Sequence, residues 1–169
     1  RNIALVSDGR TSHGIYKVIL DNFEISDTLQ YYYFLTGMHM SAEFGKTVET
    51  VRREGYKHIE TIDLDSRSTN LSTNVDYLTK YSTALSRNFL QKEIDIVLTQ
   101  GDRLISLASA IAGTYSKIPV AHLHGGEVSG TIDETTRHCV TKMSHIHFAA
   151  TKNSFDRIEK LGEKRSNIF

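Results

Sequence analysis

The densest run of chemically capable side chains lies at residues 122–138, His-Leu-His-Gly-Gly-Glu-Val-Ser-Gly-Thr-Ile-Asp-Glu-Thr-Thr-Arg-His. Three acids, three histidines, one arginine and three glycines fall within these 17 residues. Carboxylates and imidazoles are the side chains best suited to carry protons near neutral pH. The pair Gly125-Gly126 lets backbone approach a ligand closely. If Asp133 opens a helix, Arg137 follows at i+4 and shares its face, and His138 shares a face with Glu134. A solvated loop ending in a helix cap accounts for Asp133 and Glu134. It accounts poorly for His-Leu-His-Gly-Gly-Glu directly after an apolar strand, so a functional reading is preferred for this stretch.

Two shorter loops have related character. Ser7-Asp8-Gly9-Arg10-Thr11-Ser12-His13-Gly14 runs from an apolar strand into a helix start. Amides at a helix N-terminus suit phosphate, and Arg10 can add a bidentate contact. The loop is not a dinucleotide fingerprint and lacks the lysine of a P-loop, and on local sequence alone an ordinary strand-to-helix turn is the preferred reading. In Thr99-Gln100-Gly101-Asp102-Arg103, Asp102 sits between an apolar strand and an apolar helix. It can be a helix cap, a catalytic carboxylate, or both. A metal site is the rival use of the histidines. His122 and His124 alternate along an extended segment and so face one side, as do His145 and His147. Zinc accepts His and Glu ligands, but the spacing of a zinc helix is missing and no metal is assigned. His145 and His147 read as polar ends of a strand.

These loops need elements to hold them. Short β-rich runs at Ile3–Ser7, Gln30–Leu35, His58–Ile62, Ile94–Thr99, Ile118–Leu123 and His145–Ala150 alternate with helical stretches. The expected helices are Gly14–Asn22, Ser41–Glu54, Asn70–Leu90, Leu104–Tyr115, Asp133–Ser144 and Asn153–Leu161. Within Asn70–Leu90, residues Leu71, Val75, Leu78, Ala84, Leu85 and Phe89 form roughly one face. Leu104–Tyr115 is apolar nearly all round, as for a helix pressed against a sheet. Tyr31-Tyr32-Tyr33 reads as strand core and Arg52-Arg53-Glu54 as a solvated helix end. Strict alternation predicts an α/β, Rossmann-like three-layer domain with about six parallel strands and helices on both faces. In such sheets ligands collect beyond the C-terminal ends of the strands, where all three loops fall.

Composition narrows the classes. The 169 residues suit one domain, 1–169, with a real core. Twenty basic and 20 acidic residues cancel, which gives no reason to expect a nucleic-acid or membrane-surface partner. Cys139 is the single cysteine, so an internal disulfide and a zinc cysteine cluster are excluded; this fits a reducing, cytoplasmic setting. No apolar run approaches the ~18 residues of a membrane span, and the first residues are too quickly polar for a signal peptide. The closing Ser166-Asn167-Ile168-Phe169 reads as the start of a further apolar strand, and both ends read as cut.

Taken in order, Thr36-Gly37-Met38-His39-Met40-Ser41-Ala42-Glu43-Phe44-Gly45, Gly101-Asp102-Arg103, the 122–138 stretch and Thr141-Lys142-Met143-Ser144-His145-Ile146-His147-Phe148 resemble the hydrolysing UDP-N-acetylglucosamine 2-epimerases of sialic-acid and related nonulosonate synthesis. The resemblance covers essentially the whole chain. It implies one half of a glycosyltransferase-B-like architecture, the N-terminal Rossmann-like domain, with the active site in a cleft shared with a C-terminal domain. It implies loss of UDP from the anomeric carbon with a proton from C2, a glycal intermediate, and water addition to give N-acetylmannosamine. Asp102 is then the leading catalytic carboxylate and Asp133 the next, with Glu127, Glu134 and His124 as further acid/base candidates. Arg10 and Arg103 would face the diphosphate, and Gly125, Gly126, Arg137 and His138 would line the substrate. A UDP-sugar, the C-terminal domain and a homo-oligomeric partner are the expected partners, with no cofactor, and a domain without its second half is expected to be inactive alone.

Three departures from the family pattern stand out. Ser12 and His13 occupy positions where the resemblance leads one to expect an acid and a tyrosine, although Arg10 and Gly14 match. His124 stands where some members carry a glutamate, which leaves the role open between His124 and Glu127. Glu134 follows Asp133 in place of a second aspartate. The competing readings are a sugar-nucleotide-binding domain of a glycosyltransferase and a catalytically incomplete fragment that only binds.

Overall fold

The computed structural model describes residues 1–64 and 74–169. Strands β1 (Asn2–Ser7), β2 (Gln30–Thr36), β3 (Ile59–Ile62), β4 (Ile96–Gln100), β5 (Val120–Leu123) and β6 (Ile146–Phe148) alternate with helices α1 (Arg10–Glu24), α2 (Val48–Arg53), α3 (Asn74–Gln91), α4 (Leu104–Tyr115), α5 (Ile132–Met143) and α6 (Lys152–Lys160). The strands form one parallel sheet in the order β3-β2-β1-β4-β5-β6. The chain therefore winds outward from β1 to β3, then returns to lay β4 on the other side of β1. Loops leaving β1 and β4 diverge at that reversal and open a crevice between them.

Side chains alternate across the sheet with period two, and the alternation builds two cores. Ala4, Val6, Phe34, Val97 and Val120 face a layer that includes Tyr81, Leu85 and Phe89 of α3 and Ile105, Ala108 and Ala112 of α4. Ile3, Leu5, Tyr31, Tyr33, Leu35 and Leu98 face Tyr16 and Leu20 of α1 and Val48 and Val51 of α2. The tyrosine run is thus strand core, split between the faces: Tyr31 and Tyr33 point one way and Tyr32 the other. Helix α4 is buried along most of its length, as its composition predicts. A Cβ on Gly113 would sit 2.7 Å from Val120 Cγ2, so only glycine lets α4 come this close to the sheet. Phe89 meets Phe34 edge-on at 5.6 Å, a favourable aromatic geometry.

Four expectations need correction. The helix expected over Ser41–Glu54 is only α2, Val48–Arg53, preceded by a short 3₁₀ turn at Gly37–His39. Lys46 (φ +43°) and Gly45 (φ +81°) are left-handed, which no continuous right-handed helix accommodates. Helix α1 begins at Arg10, earlier than Gly14. The last strand is shorter than His145–Ala150. In α3, Val75 is exposed and lies off the buried face, while Leu71 lies outside the described residues. Beyond β6, Ile168 pairs with His147 in parallel, as expected of a further strand.

Candidate functional site

An open cleft of about 1010 Å³ lies at the β1/β4 reversal. Asp8, Asp102, Arg103 and Asp133 line it, together with Lys46 from the loop before α2. The fold thus brings together loops more than 90 residues apart in the chain. Arg103 Nε donates to Asp8 Oδ2 at 2.5 Å, closing the crevice floor between β1 and β4. The next residue back, Asp102, accepts from Arg137 Nη2 of α5, and Arg137 Nη1 donates to the Glu127 carbonyl at 2.9 Å. Charges alternate along this line: Asp8, Arg103, Asp102, Arg137. Burial pushes the Asp8 carboxyl above the ordinary carboxylate range, and the Arg103 guanidinium opposes that shift.

Asp102 is held from beneath as well. The buried His122 imidazole puts Nε2 2.8 Å from the Gly101 carbonyl. A carbonyl only accepts, so Nε2 carries the proton. Thr141 Oγ1 lies 3.2 Å from the unprotonated Nδ1 and 3.0 Å from the Arg137 carbonyl, two acceptors between which its single hydroxyl proton is shared. His122 and Thr141 therefore brace the Gly101-Asp102 turn against the helix that supplies Arg137. Burial lowers the His122 pKa to about 4, and the ring is neutral at neutral pH.

The 122–138 stretch is divided by the fold. The alternation read from the sequence does not extend from His122 to His124, because β5 ends at Leu123. His124 turns left-handed (φ +60°) just after β5, and its amide donates to the Phe148 carbonyl at 2.9 Å. Gly125 and Gly126 are buried packing positions. A Cβ on Gly125 would lie 2.9 Å from His122 Nδ1, and one on Gly126 (φ +79°) would lie 2.9 Å from Ile158 Cγ1 and against the Ser154 carbonyl. Glu127 accepts from Ser154 Oγ at 2.5 Å at the start of α6 and is not among the residues that line the cleft. Glu134 accepts from the Ser129 and Gly130 amides at 2.9 and 2.8 Å, and these bonds lower its pKa. Its other oxygen is 3.9 Å from His138 Nε2, the shared face expected from the spacing. Arg137 meets Asp102 rather than Asp133. Arg10 is exposed at the first turn of α1 and leans toward Gly45, to the side of the cleft lining.

Two cleft residues escaped the sequence reading. Asp8 was visible as part of a loop, but nothing in one dimension pairs it with Arg103. Lys46 sat inside a stretch read as helix, where it would have been one more solvated lysine. A third polar group, the buried His39, anchors the cleft wall. Its Nε2 is 2.8 Å from Ser7 Oγ and its Nδ1 2.7 Å from Thr47 Oγ1.

A parallel sheet with this strand order, helices on both faces and a charged cleft at the reversal defines a Rossmann-like α/β domain, one half of a glycosyltransferase-B-like architecture. Residues 22–169 match the family model described as UDP-N-acetylglucosamine 2-epimerase, and the chain belongs to that family. It is 36% identical over 169 residues to the hydrolysing UDP-N,N'-diacetylbacillosamine 2-epimerase of Legionella pneumophila, covering all of this chain and 45% of that protein. It is 33% identical over 172 residues to a UDP-N-acetylglucosamine 2-epimerase of Neisseria meningitidis, covering 99% of this chain and 44% of that protein. A crystal structure of a UDP-GlcNAc 2-epimerase from Neisseria meningitidis bound to UDP-GlcNAc shares the fold, with a TM-score of 0.87 at 18% identity over 100% of this chain and 45% of that one. The chain thus spans a little under half the length of the relatives it matches. Among the described residues no helix is long and apolar enough to cross a membrane.

Proposed function

We propose that this chain is the N-terminal, acid/base-bearing half of a hydrolysing UDP-sugar 2-epimerase. The substrate would be UDP-N-acetylglucosamine or its 2,4-diacetamido-6-deoxy relative, and the products UDP and the free 2-epimeric sugar. The observation that carries the reading is the convergence of Asp102, Asp133 and Arg103 on one cleft at the β1/β4 reversal. Proton removal at C2 needs a carboxylate whose orientation is fixed, and departure of UDP needs cationic stabilisation of the diphosphate. Asp102, gripped by Arg137 and set on a turn braced by His122, suits the first task. Asp133, on the first turn of α5, suits proton exchange with the water that adds to the glycal. Arg103 and Lys46 suit the diphosphate, with Arg10 able to swing in from the first turn of α1. A C-terminal domain closing over the cleft would exclude bulk water and supply the remaining nucleotide contacts. A cytoplasmic, homo-oligomeric enzyme of nonulosonate synthesis is the setting this reading entails.

The test is incubation of the full-length protein with UDP-N-acetylglucosamine and, separately, with its diacetamido relative, followed by NMR. Stoichiometric UDP and free 2-epimeric sugar from either substrate supports the reading. Epimerised UDP-sugar with no free sugar would show a non-hydrolysing enzyme. Folded protein that binds UDP but yields no product from either would reduce the domain to a binding module.

A further inference from the structure

Asp8 has a feature that the catalytic reading leaves unused. Its side chain is 6% exposed, yet it lines the cleft, and its partner Arg103 is 53% exposed. A buried anion therefore holds a largely solvated cation. The contact runs through Nε of Arg103. That edge of the guanidinium faces the floor, which leaves donors on both terminal nitrogens available; Nη2 lies 4.0 Å from Met38 Sδ, on the cleft wall. Arginine otherwise retains much rotamer freedom, and fixing a side chain of that kind on binding lowers affinity.

We propose that Asp8 is a positioning residue that presets Arg103, so that its terminal nitrogens face the cleft and take a phosphate oxygen of the sugar nucleotide's diphosphate. This rests on the functional reading above for the identity of the anion. The clamp acts across the reversal of the sheet: Asp8 directly follows β1 and Arg103 is the N-cap residue of α4. Arg103 is the cationic partner, and the tyrosines Tyr16, Tyr33, Tyr77 and Tyr81 lie close enough to feel the Asp8 charge. The neutral hydroxyls do not compensate the carboxylate, so Arg103 is held by a full countercharge, and a charge-assisted bond of that kind keeps its geometry.

The experiment is a double-mutant cycle in the full-length protein with Asp8→Asn, Arg103→Ala and the pair, reading kcat/KM with UDP-N-acetylglucosamine or the diacetamido sugar nucleotide, whichever is turned over, and the Kd for UDP. The expected result is a loss of about tenfold or more in kcat/KM for Asp8→Asn in the wild-type background and less than about twofold in the Arg103→Ala background, because a residue acting through Arg103 has nothing left to position. UDP affinity should follow the same pattern. Equal losses in both backgrounds would overturn the proposal and leave Asp8 a packing residue, as would no loss in either. Should Arg103→Ala itself leave kcat/KM unchanged, it is the assignment of the diphosphate to Arg103 that fails. If Asp8→Asn does not fold, Asp8→Glu, which keeps the charge but moves the carboxylate by one methylene, replaces it in the same cycle with the same outcomes.

Discussion

Replacing Arg137 should separate what holds Asp102 from what Asp102 does. The Arg137 side chain is 9% exposed and grips a carboxylate that is 26% exposed, while a second nitrogen satisfies the Glu127 carbonyl at 2.9 Å. Arg137→Met conserves most of the stem and deletes both bonds. Hydrogen bonds to charged groups contribute about 1.5–3 kcal/mol each, and breaking a buried ion pair costs about 3–5 kcal/mol because the other charge is stranded. Asp102 keeps some access to water, so the lower part of that range applies, about 2–4 kcal/mol. Asp102→Asn is different: its amide oxygen can still accept from Arg137, and the stability loss should stay at about 1 kcal/mol. Urea unfolding at pH 7 reads both variants, and turnover of the full-length protein reads function. The expected pattern is a large stability loss for Arg137→Met and a small one for Asp102→Asn, with Asp102→Asn nonetheless abolishing turnover. Equal stability losses would refute the claim that the pair is a brace. Wild-type turnover in Asp102→Asn would remove Asp102 from the chemistry.

Two further outcomes follow from buried groups. His122 and His39 are both fully buried, with pKa values lowered to about 4 from 6.5 by desolvation. An unfolded chain binds protons at these rings below about pH 6.5 and the folded chain does not, so the stability is complete above that pH and is lost as pH falls toward 4, by roughly 3 kcal/mol for each ring at the limit. Urea midpoints at pH 7 and pH 5 should show this fall, and His122→Gln should flatten part of it; an unchanged slope in that variant would count against a neutral buried ring. Gly126→Ala places a methyl against Ser154 and Ile158 in a left-handed backbone and should lower stability by about 2 kcal/mol or more, whereas Gly14→Ala, in α1 with open space around it, should raise it by about 0.5–1 kcal/mol. Thermal melts compare the two, and a Gly126→Ala protein as stable as wild type would contradict the close approach of α6 to the β5 loop.

How far the sequence reached depends on the range of the interaction. Strand and helix order, the parallel sheet and the face of α4 were legible because period-two and period-3.6 patterns are local and the runs are long. The helix over Ser41–Glu54 was misread because the composition of those residues is helical, while the backbone at Gly45 and Lys46 turns left-handed to form the cleft wall. Asp102 and Asp133 were legible as candidates since both stand at strand-to-helix junctions, where this class of sheet concentrates its ligands. What each contacts was not. Arg137 was matched to Asp133 by helical spacing, yet its side chain reaches Asp102 on a different loop; spacing along one helix says nothing about what a neighbouring strand presents. The glycines after β5 read as ligand-facing; that α5 packs closely against Gly125 and α6 against Gly126 was not legible. By itself the sequence determined the layer order of the domain, its family and the small set of acids and bases from which a site could be made. Only the tertiary structure decided which of these share a cleft, because Asp8 and Arg103, 95 positions apart, meet across the reversal of winding between β1 and β4, and Arg137 of α5 reaches Asp102 from 35 positions away, contacts that no local pattern encodes.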